Sequence, residues 1–297
     1  MSVALDRTFT TSLPETEWAK SNDPCLDYCL WPYEPRCSQS GKLRSINLLN
    51  DSFQQAGAEQ LVDICQAIRE AVGDFQTVWG IKQSEKGLSW ELYFYDYERL
   101  QRQVSVSRLI DVLSPWLSCG LKVNENSPYF MFSLDLETET ARSLRSLDSI
   151  NIYMGNAGSN VSSGLSYSLT ADGLTFDNLY SFFDARHEQG DILAKMACSA
   201  HLSLDSLEPD DVLWPELVDC QTIVVANKRL CEGIYFSRVT VDQLLFFLRK
   251  TRFPAAHVAY VENNRDRLDH LLFDVGFDYT MVEGTINITK SAYYGVF

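Results

Sequence analysis

The chain has 297 residues, 45% of them apolar and 22% charged, with a net charge of −15. That composition supports a full globular core. The acidic balance argues against nucleic acid or an anionic membrane surface as partner, because both call for a basic face. No apolar run reaches the roughly 18 residues of a membrane helix, and the mixed residues 1–23 do not read as a secretory leader.

Eight cysteines spread from Cys25 to Cys231 read as reduced thiols of a cytoplasmic protein. Cys25, Cys29 and Cys37 cluster, but their spacing fits no zinc pattern and no histidine completes them. His187, His201, His257 and His270 stand apart from one another, so no metal site is expected.

Residues 1–50 are broken by Pro14, Pro24, Pro32 and Pro35. They predict an extended segment that packs through Trp18, Trp31 and Tyr33 onto one domain of residues 51–297. Regular structure is expected from about Ser52, with Leu61, Ile64, Ile68 and Val72 at helical spacing. A strand over 76–82, a turn over 84–87 and a strand over 89–95 follow. Val106, Leu109, Val112, Leu113 and Trp116 then mark a helix over 104–117, completing the order α, β, β, α.

Strands are predicted over 129–136, 149–154 and 164–170, a helix over 176–185 and a further strand over 197–204. The first unit then recurs: a short helix over 212–218, strands over 221–227 and 234–239, and a helix over 241–249 carrying Leu244, Leu245 and Leu248. The text repeats as well. Gln76-Thr77-Val78 answers Gln221-Thr222-Ile223, and Leu92-Tyr93-Phe94 answers Ile234-Tyr235-Phe236, so an internal repeat is the better reading. A helix over 265–273 and strands over 277–282 and 285–294 end the chain. Hairpins separated by helices, without a βαβ glycine fingerprint, predict an α+β fold. In it an antiparallel sheet is covered by helices on one face and closes into a barrel.

Strand residues alternate between faces. Leu92, Phe94, Phe130, Phe132, Leu134, Ile150, Ile152, Ile286 and Ile288 fall on an aliphatic or phenyl face suited to helix packing. Glu91, Tyr93, Tyr95, Tyr129, Met131, Ser133, Asp135, Asn151 and Tyr153 fall on the other. A merely wet face would carry more Lys, Glu and Arg. The Tyr, Met, Ser and Asn here suit a chamber that stacks an apolar or aromatic ligand and offers it a few hydrogen bonds.

Repeated αββα units around an aromatic-lined antiparallel barrel resemble the ABBA, or PT-barrel, aromatic prenyltransferases. Three stretches carry the resemblance: Glu91-Leu92-Tyr93-Phe94, Ser133-Leu134-Asp135-Leu136-Glu137-Thr138, and Lys290-Ser291-Ala292-Tyr293-Tyr294. The C-terminal third is similar in element order to the peptide-modifying, cyanobactin-type branch, and the likeness covers roughly residues 55–297.

The resemblance implies transfer of an isoprenyl group from dimethylallyl or geranyl diphosphate to an aromatic small molecule or a peptide side chain. It implies no required cofactor, magnesium being optional with the diphosphate, and a monomer. Lys82, Lys228, Arg238, Lys290, Tyr235 and Tyr293 are then candidates to hold the leaving pyrophosphate. Glu91 is the candidate base, and Tyr93, Tyr95, Met131 and Tyr153 the candidate chamber wall. The family places further basic residues on central strands, where Ser149, Ser166 and Trp90 stand here. Two non-enzymatic alternatives therefore remain: an inactive barrel that binds an apolar ligand or peptide, and a pure interaction protein.

Overall fold

A computed structural model describes residues 14–97, 102–139, 145–202 and 208–297. In chain order the elements are α1 (Ile46–Ala56), α2 (Leu61–Val72), β1 (Thr77–Ser84), β2 (Gly87–Tyr95), α3 (Val106–Leu113), β3 (Leu117–Ser118) and β4 (Tyr129–Leu136). There follow β5 (Arg145–Ser146), β6 (Ile150–Gly155), β7 (Ser163–Thr170), β8 (Gly173–Asp184), α4 (Gln189–Met196), β9 (Thr222–Lys228) and β10 (Glu232–Val239). The chain ends with α5 (Val241–Lys250), α6 (Ala255–Asn263), α7 (Arg265–Leu268), β11 (Phe273–Val282) and β12 (Thr285–Val296).

Ten antiparallel strands close into a barrel in the order β1-β12-β11-β10-β9-β8-β7-β6-β4-β2, while β3 and β5 pair separately. The β1–β2, β7–β8, β9–β10 and β11–β12 hairpins turn at one end of the barrel, here called the mouth. The chain segments that bear helices α3 to α7 connect strands at the opposite end. Residues 156–162, between β6 and β7, form turns without a helix, so the expected αββα order is not carried all the way round.

Local chemistry fixes these elements. The β1–β2 hairpin closes on Ser84 opposite Gly87, whose φ of 94° favours glycine. Helix α3 starts where the Ser105 side chain accepts the Arg108 N–H. Helix α5 starts on a capping box between Thr240 and Gln243.

The main core lies between barrel and helices. Trp90, Leu92 and Phe94 of β2 point outward into it and are fully buried. The Trp90 ring meets Phe53 of α1 at 5.0 Å, and its indole N–H donates to Ser52 at 2.8 Å. A second apolar cluster fills the lumen, built on Val78, Tyr93, Tyr95, Met131, Tyr153, Ala292, Tyr294 and Val296. The predicted two-faced sheet is therefore present.

One face assignment is reversed. Tyr129 lies in the outer core and Phe130 against the lumen cluster. A register shift between Tyr129 and Met131 adds one residue and flips the parity beyond it.

Four segments differ from expectation. Residues 176–185, predicted helical, belong almost wholly to strand β8. A register shift between Ser166 and Tyr167 places Phe176, Leu179 and Phe183 on one face of a strand, which imitates helical spacing. Residues 197–202 carry no strand, and the rest of that predicted strand lies outside the described residues. Residues 212–218 form turns after a 3₁₀ turn over Pro209–Asp211. The helix predicted over 265–273 is only the four-residue α7, and Phe273 already opens β11.

The described segment before α1, from residue 14, packs at the end opposite the mouth, and α1 begins at Ile46, inside the segment predicted to be extended. Tyr33 docks it: the hydroxyl donates to the Leu272 carbonyl at 3.1 Å and accepts the Leu272 N–H at 2.8 Å. Trp18 stays about half exposed with the Arg267 guanidinium 5.6 Å from its ring, and Trp31 lines the cavity while 57% exposed.

Candidate functional site

The lumen is stacked in layers, and the strands supply each layer by parity. Nearest the mouth is a polar layer. Lys82 of β1 faces Glu91 at 3.4 Å and also contacts Asp135 of β4. Ser133 donates to Glu91 at 2.5 Å, and Asn151 of β6 donates to Glu91 at 3.3 Å and to Ser133 at 3.2 Å. Across the lumen, Asp278 of β11 takes Lys228 of β9 at 2.6 Å on one oxygen and Lys290 of β12 at 3.0 Å on the other. Lys228 also donates to the Tyr235 hydroxyl at 2.9 Å. The side chain of Lys290 is 40% exposed, so this ammonium stands at the rim of the mouth.

Burial works against the charges of Lys82, Glu91, Asp135, Lys228 and Asp278. For Lys82 and Lys228 the facing carboxylates outweigh it and hold the ammonium groups above their usual range. For Asp278 the two lysines outweigh burial and hold the carboxyl well below its ordinary value. Glu91 moves in the same direction, because Lys82 and the Ser133 hydrogen bond overcome its burial. A carboxylate held down in this way is a weak proton acceptor and a good counter-charge. Three ammonium groups and three carboxylates make the layer neutral as a whole. The Lys228–Asp278–Lys290 half is positive by one, and the Lys82–Glu91–Asp135 half is negative by one.

Below lies a ring of phenols: Tyr93, Tyr153, Tyr180, Tyr235 and Tyr294. Tyr93 meets Tyr294 at 5.8 Å and Tyr153 at 6.4 Å; Tyr180 meets Tyr153 and Tyr235, each at 6.3 Å. Glycines on neighbouring strands let the rings lie flat. A Cβ at Gly276 would come 2.1 Å from Tyr235, and one at Gly80 would come 2.8 Å from Tyr294. Burial pushes the hydroxyls of Tyr93, Tyr153, Tyr235 and Tyr294 well above their ordinary range, so they remain protonated donors.

Under the ring is a cavity of about 290 Å³. Its floor is the N-terminal segment, which turns tightly between Leu26 and Pro32 and inserts Tyr28 upward. The Tyr28 ring packs edge-on against Tyr294 at 4.9 Å and Tyr93 at 5.0 Å. Its carbonyl accepts the Tyr95 hydroxyl, and its N–H donates to Asp274 at 2.9 Å. Arg238 clamps the loop through Asp27 at 2.8 Å. Trp31, which is 57% exposed, marks the side where the cavity meets solvent.

The polar layer therefore brings together Glu91, Lys82, Lys228, Lys290 and Tyr235. Tyr93 and Tyr153 stand in the ring, and Met131 and Tyr95 line the lumen closer to its floor. Two expected phosphate contacts lie elsewhere. Tyr293 points out of the barrel, where its hydroxyl meets His257 at 2.6 Å, and His257 in turn meets Asp51 at 2.5 Å. Three positions separate Tyr293 from Lys290, so strand parity puts them on opposite faces. Arg238 sits at the floor, spent on Asp27, because the irregular register between Phe236 and Val239 turns it there.

Asp278, Asp274, Tyr180, Tyr294 and Tyr28 are lumen residues that sequence reasoning missed. Parity from Lys290 reaches Tyr294 directly, and Gly80 opposite it is a further signal. Asp135, Ser133 and Asn151 fall on the predicted inner face, but nothing in the sequence alone assigns them a role. Among the described residues, no group of three metal-binding side chains occurs, and no helix is long and apolar enough to cross a membrane. A scan against protein-family models found no match to this chain, and a search of curated proteins found none either.

Proposed function

We propose that the chain is a transferase that moves an isoprenyl group from an allylic diphosphate to an electron-rich acceptor within the lumen. The observation that carries this reading is the approach of Lys82, Lys228 and Lys290, from three strands, to a layer resting on five tyrosines. The chemistry needs those two parts. The allylic C–O bond breaks heterolytically, and the pyrophosphate leaves with the electron pair, held by ammonium and phenol donors. The tyrosine faces shield the allylic cation, and Glu91 offsets its charge. The acceptor's electron pair then forms the new bond, and its proton passes to solvent or to a lumen carboxylate.

Lys290 and Lys228, on the positive half of the layer, are the primary phosphate contacts. Magnesium is optional and would ride on the diphosphate. The fold supports the same reading: ten antiparallel strands close into a barrel with helices packed on its outer face. Eight unpaired cysteines suit a cytoplasmic setting.

A second reading is favoured by the charge balance of the polar layer. With three ammonium groups balanced by three carboxylates over the whole layer, the barrel would hold an apolar ligand without transferring anything. Calorimetry with a non-hydrolysable thiolo analogue of dimethylallyl diphosphate separates the two. The transferase reading expects binding that weakens at least about tenfold, about 1.4 kcal/mol, in Lys290→Ala. Binding of an apolar aromatic without any binding of the analogue would establish the second reading and end the first.

A further inference from the structure

Three charged side chains line the cavity between the tyrosine ring and the floor: Asp27, Arg238 and Asp274. Two of them are mutually satisfied. Asp27 holds the Arg238 guanidinium through one oxygen, at 2.8 and 3.0 Å, and accepts the N–H groups of Cys29 and Trp31 on the other, at 2.9 and 3.0 Å. Asp274 has no such partner. Its contacts are the Tyr28 and Arg238 N–H groups and the Ser237 hydroxyl, and among the described residues no cation pairs with it. An ionised Asp274 leaves the cavity with one uncompensated negative charge, at 7% exposure. A buried anion without a cation is costly.

The walls suit a cation. Tyr28, Tyr93, Tyr153, Tyr180, Tyr235 and Tyr294 bring their rings to the same space. A cation within about 6 Å of such a ring is attracted to its face, and the more strongly when it is desolvated. The volume of about 290 Å³ is near the lower bound, about 300 Å³, of small-molecule sites. A carboxylate ligand would meet the same excess negative charge with Arg238 already spent.

We propose that this cavity binds an organic cation, a protonated amine on an apolar or aromatic body, with its nitrogen at Asp274. The site lies at the opposite end of the lumen from the lysines, and the inference does not rest on the transferase reading.

The groups facing Asp274 are Asp27, Tyr28, Cys29 and Tyr33 of the N-terminal segment, Tyr95 of β2, Cys220 ahead of β9, Arg238 of β10, and Tyr294 of β12. Burial pushes these thiols and phenols up, so they stay neutral across the pH range in which Asp274 titrates.

Calorimetry with phenethylamine and its neutral counterpart 2-phenylethanol tests the site. At about pH 8 the amine is expected to bind at least about tenfold more tightly than the alcohol. The preference is expected to shrink at about pH 5.5, where Asp274 holds a proton, while the amine keeps its charge. Asp274→Asn is expected to abolish the preference and leave the alcohol's affinity unchanged. Equal affinities at about pH 8, a preference that survives Asp274→Asn, or no binding of either compound would overturn the proposal. The pH comparison on the natural chain decides the matter even if the variant folds poorly.

Discussion

The unpaired carboxyl of Asp274 has a consequence for stability that is measurable without any ligand. Burial, reinforced by the neighbouring Asp27, pushes it from 3.8 up to about 7. The folded chain therefore keeps a proton at this site between about pH 4 and 7, where the unfolded chain has released it. Folding is favoured by that proton, so stability falls as the pH rises through this window. At about 1.4 kcal/mol for each pH unit, the interval from 3.8 to about 7 amounts to about 4 kcal/mol. Asp274→Asn removes the titration while keeping an oxygen to accept the Tyr28 N–H. Urea unfolding of both proteins across about pH 4 to 8 reads the effect as a difference, which cancels the contributions of all other groups. The variant is expected to gain on the natural chain as the pH rises, by up to about 4 kcal/mol near pH 8. Parallel curves would refute the account of Asp274 as a buried carboxyl without a cation.

Two further outcomes follow from the lumen geometry. Tyr293→Phe leaves the buried His257 Nε2 without its 2.6 Å partner and is expected to cost about 1–3 kcal/mol in urea unfolding. Ligand affinity in the lumen should not change, and a drop in diphosphate binding would restore Tyr293 to the site. Gly276→Ala drives a methyl group into Tyr235 and is expected to destabilise by about 1–3 kcal/mol through overpacking. It also pushes the ring off its place beside Lys228, so thiolo-diphosphate binding should weaken in parallel; unchanged binding would place the Tyr235 contact outside the site.

The layout of the lumen was legible where strands run regularly. On β2 and β6 the alternation of Trp90, Leu92 and Phe94 with Glu91, Tyr93 and Tyr95, and of Ile150 and Ile152 with Asn151 and Tyr153, maps directly onto outer core and lumen. It failed where a strand gains a residue, as before Met131 and beside Tyr167, because one insertion exchanges the two faces. It also failed where the pairing partner was unknown. Asp278 reads as an ordinary strand acid until β9 and β12 bring it Lys228 and Lys290. Asp274 and Tyr28 are invisible for the same reason, since 246 residues separate them. Tyr93 and Tyr235, at matching places in the text of the two hairpins, both reach the phenol ring.

The floor of the lumen is made of chain outside the ten barrel strands. Its anchors, Arg238, Asp274, Leu272 and Tyr95, belong to β10, β11, the turn before β11, and β2, which come to one rim only when the barrel has closed. The segment before α1 has no assembled dock until then, although it precedes every barrel strand in the chain. These contacts join residues far apart in the chain, and non-local closure of this kind is slow. Length changes or substitutions between Leu26 and Pro32 would alter the depth of the cup and leave its walls intact, so the capacity of the lumen can vary independently of the barrel that forms it.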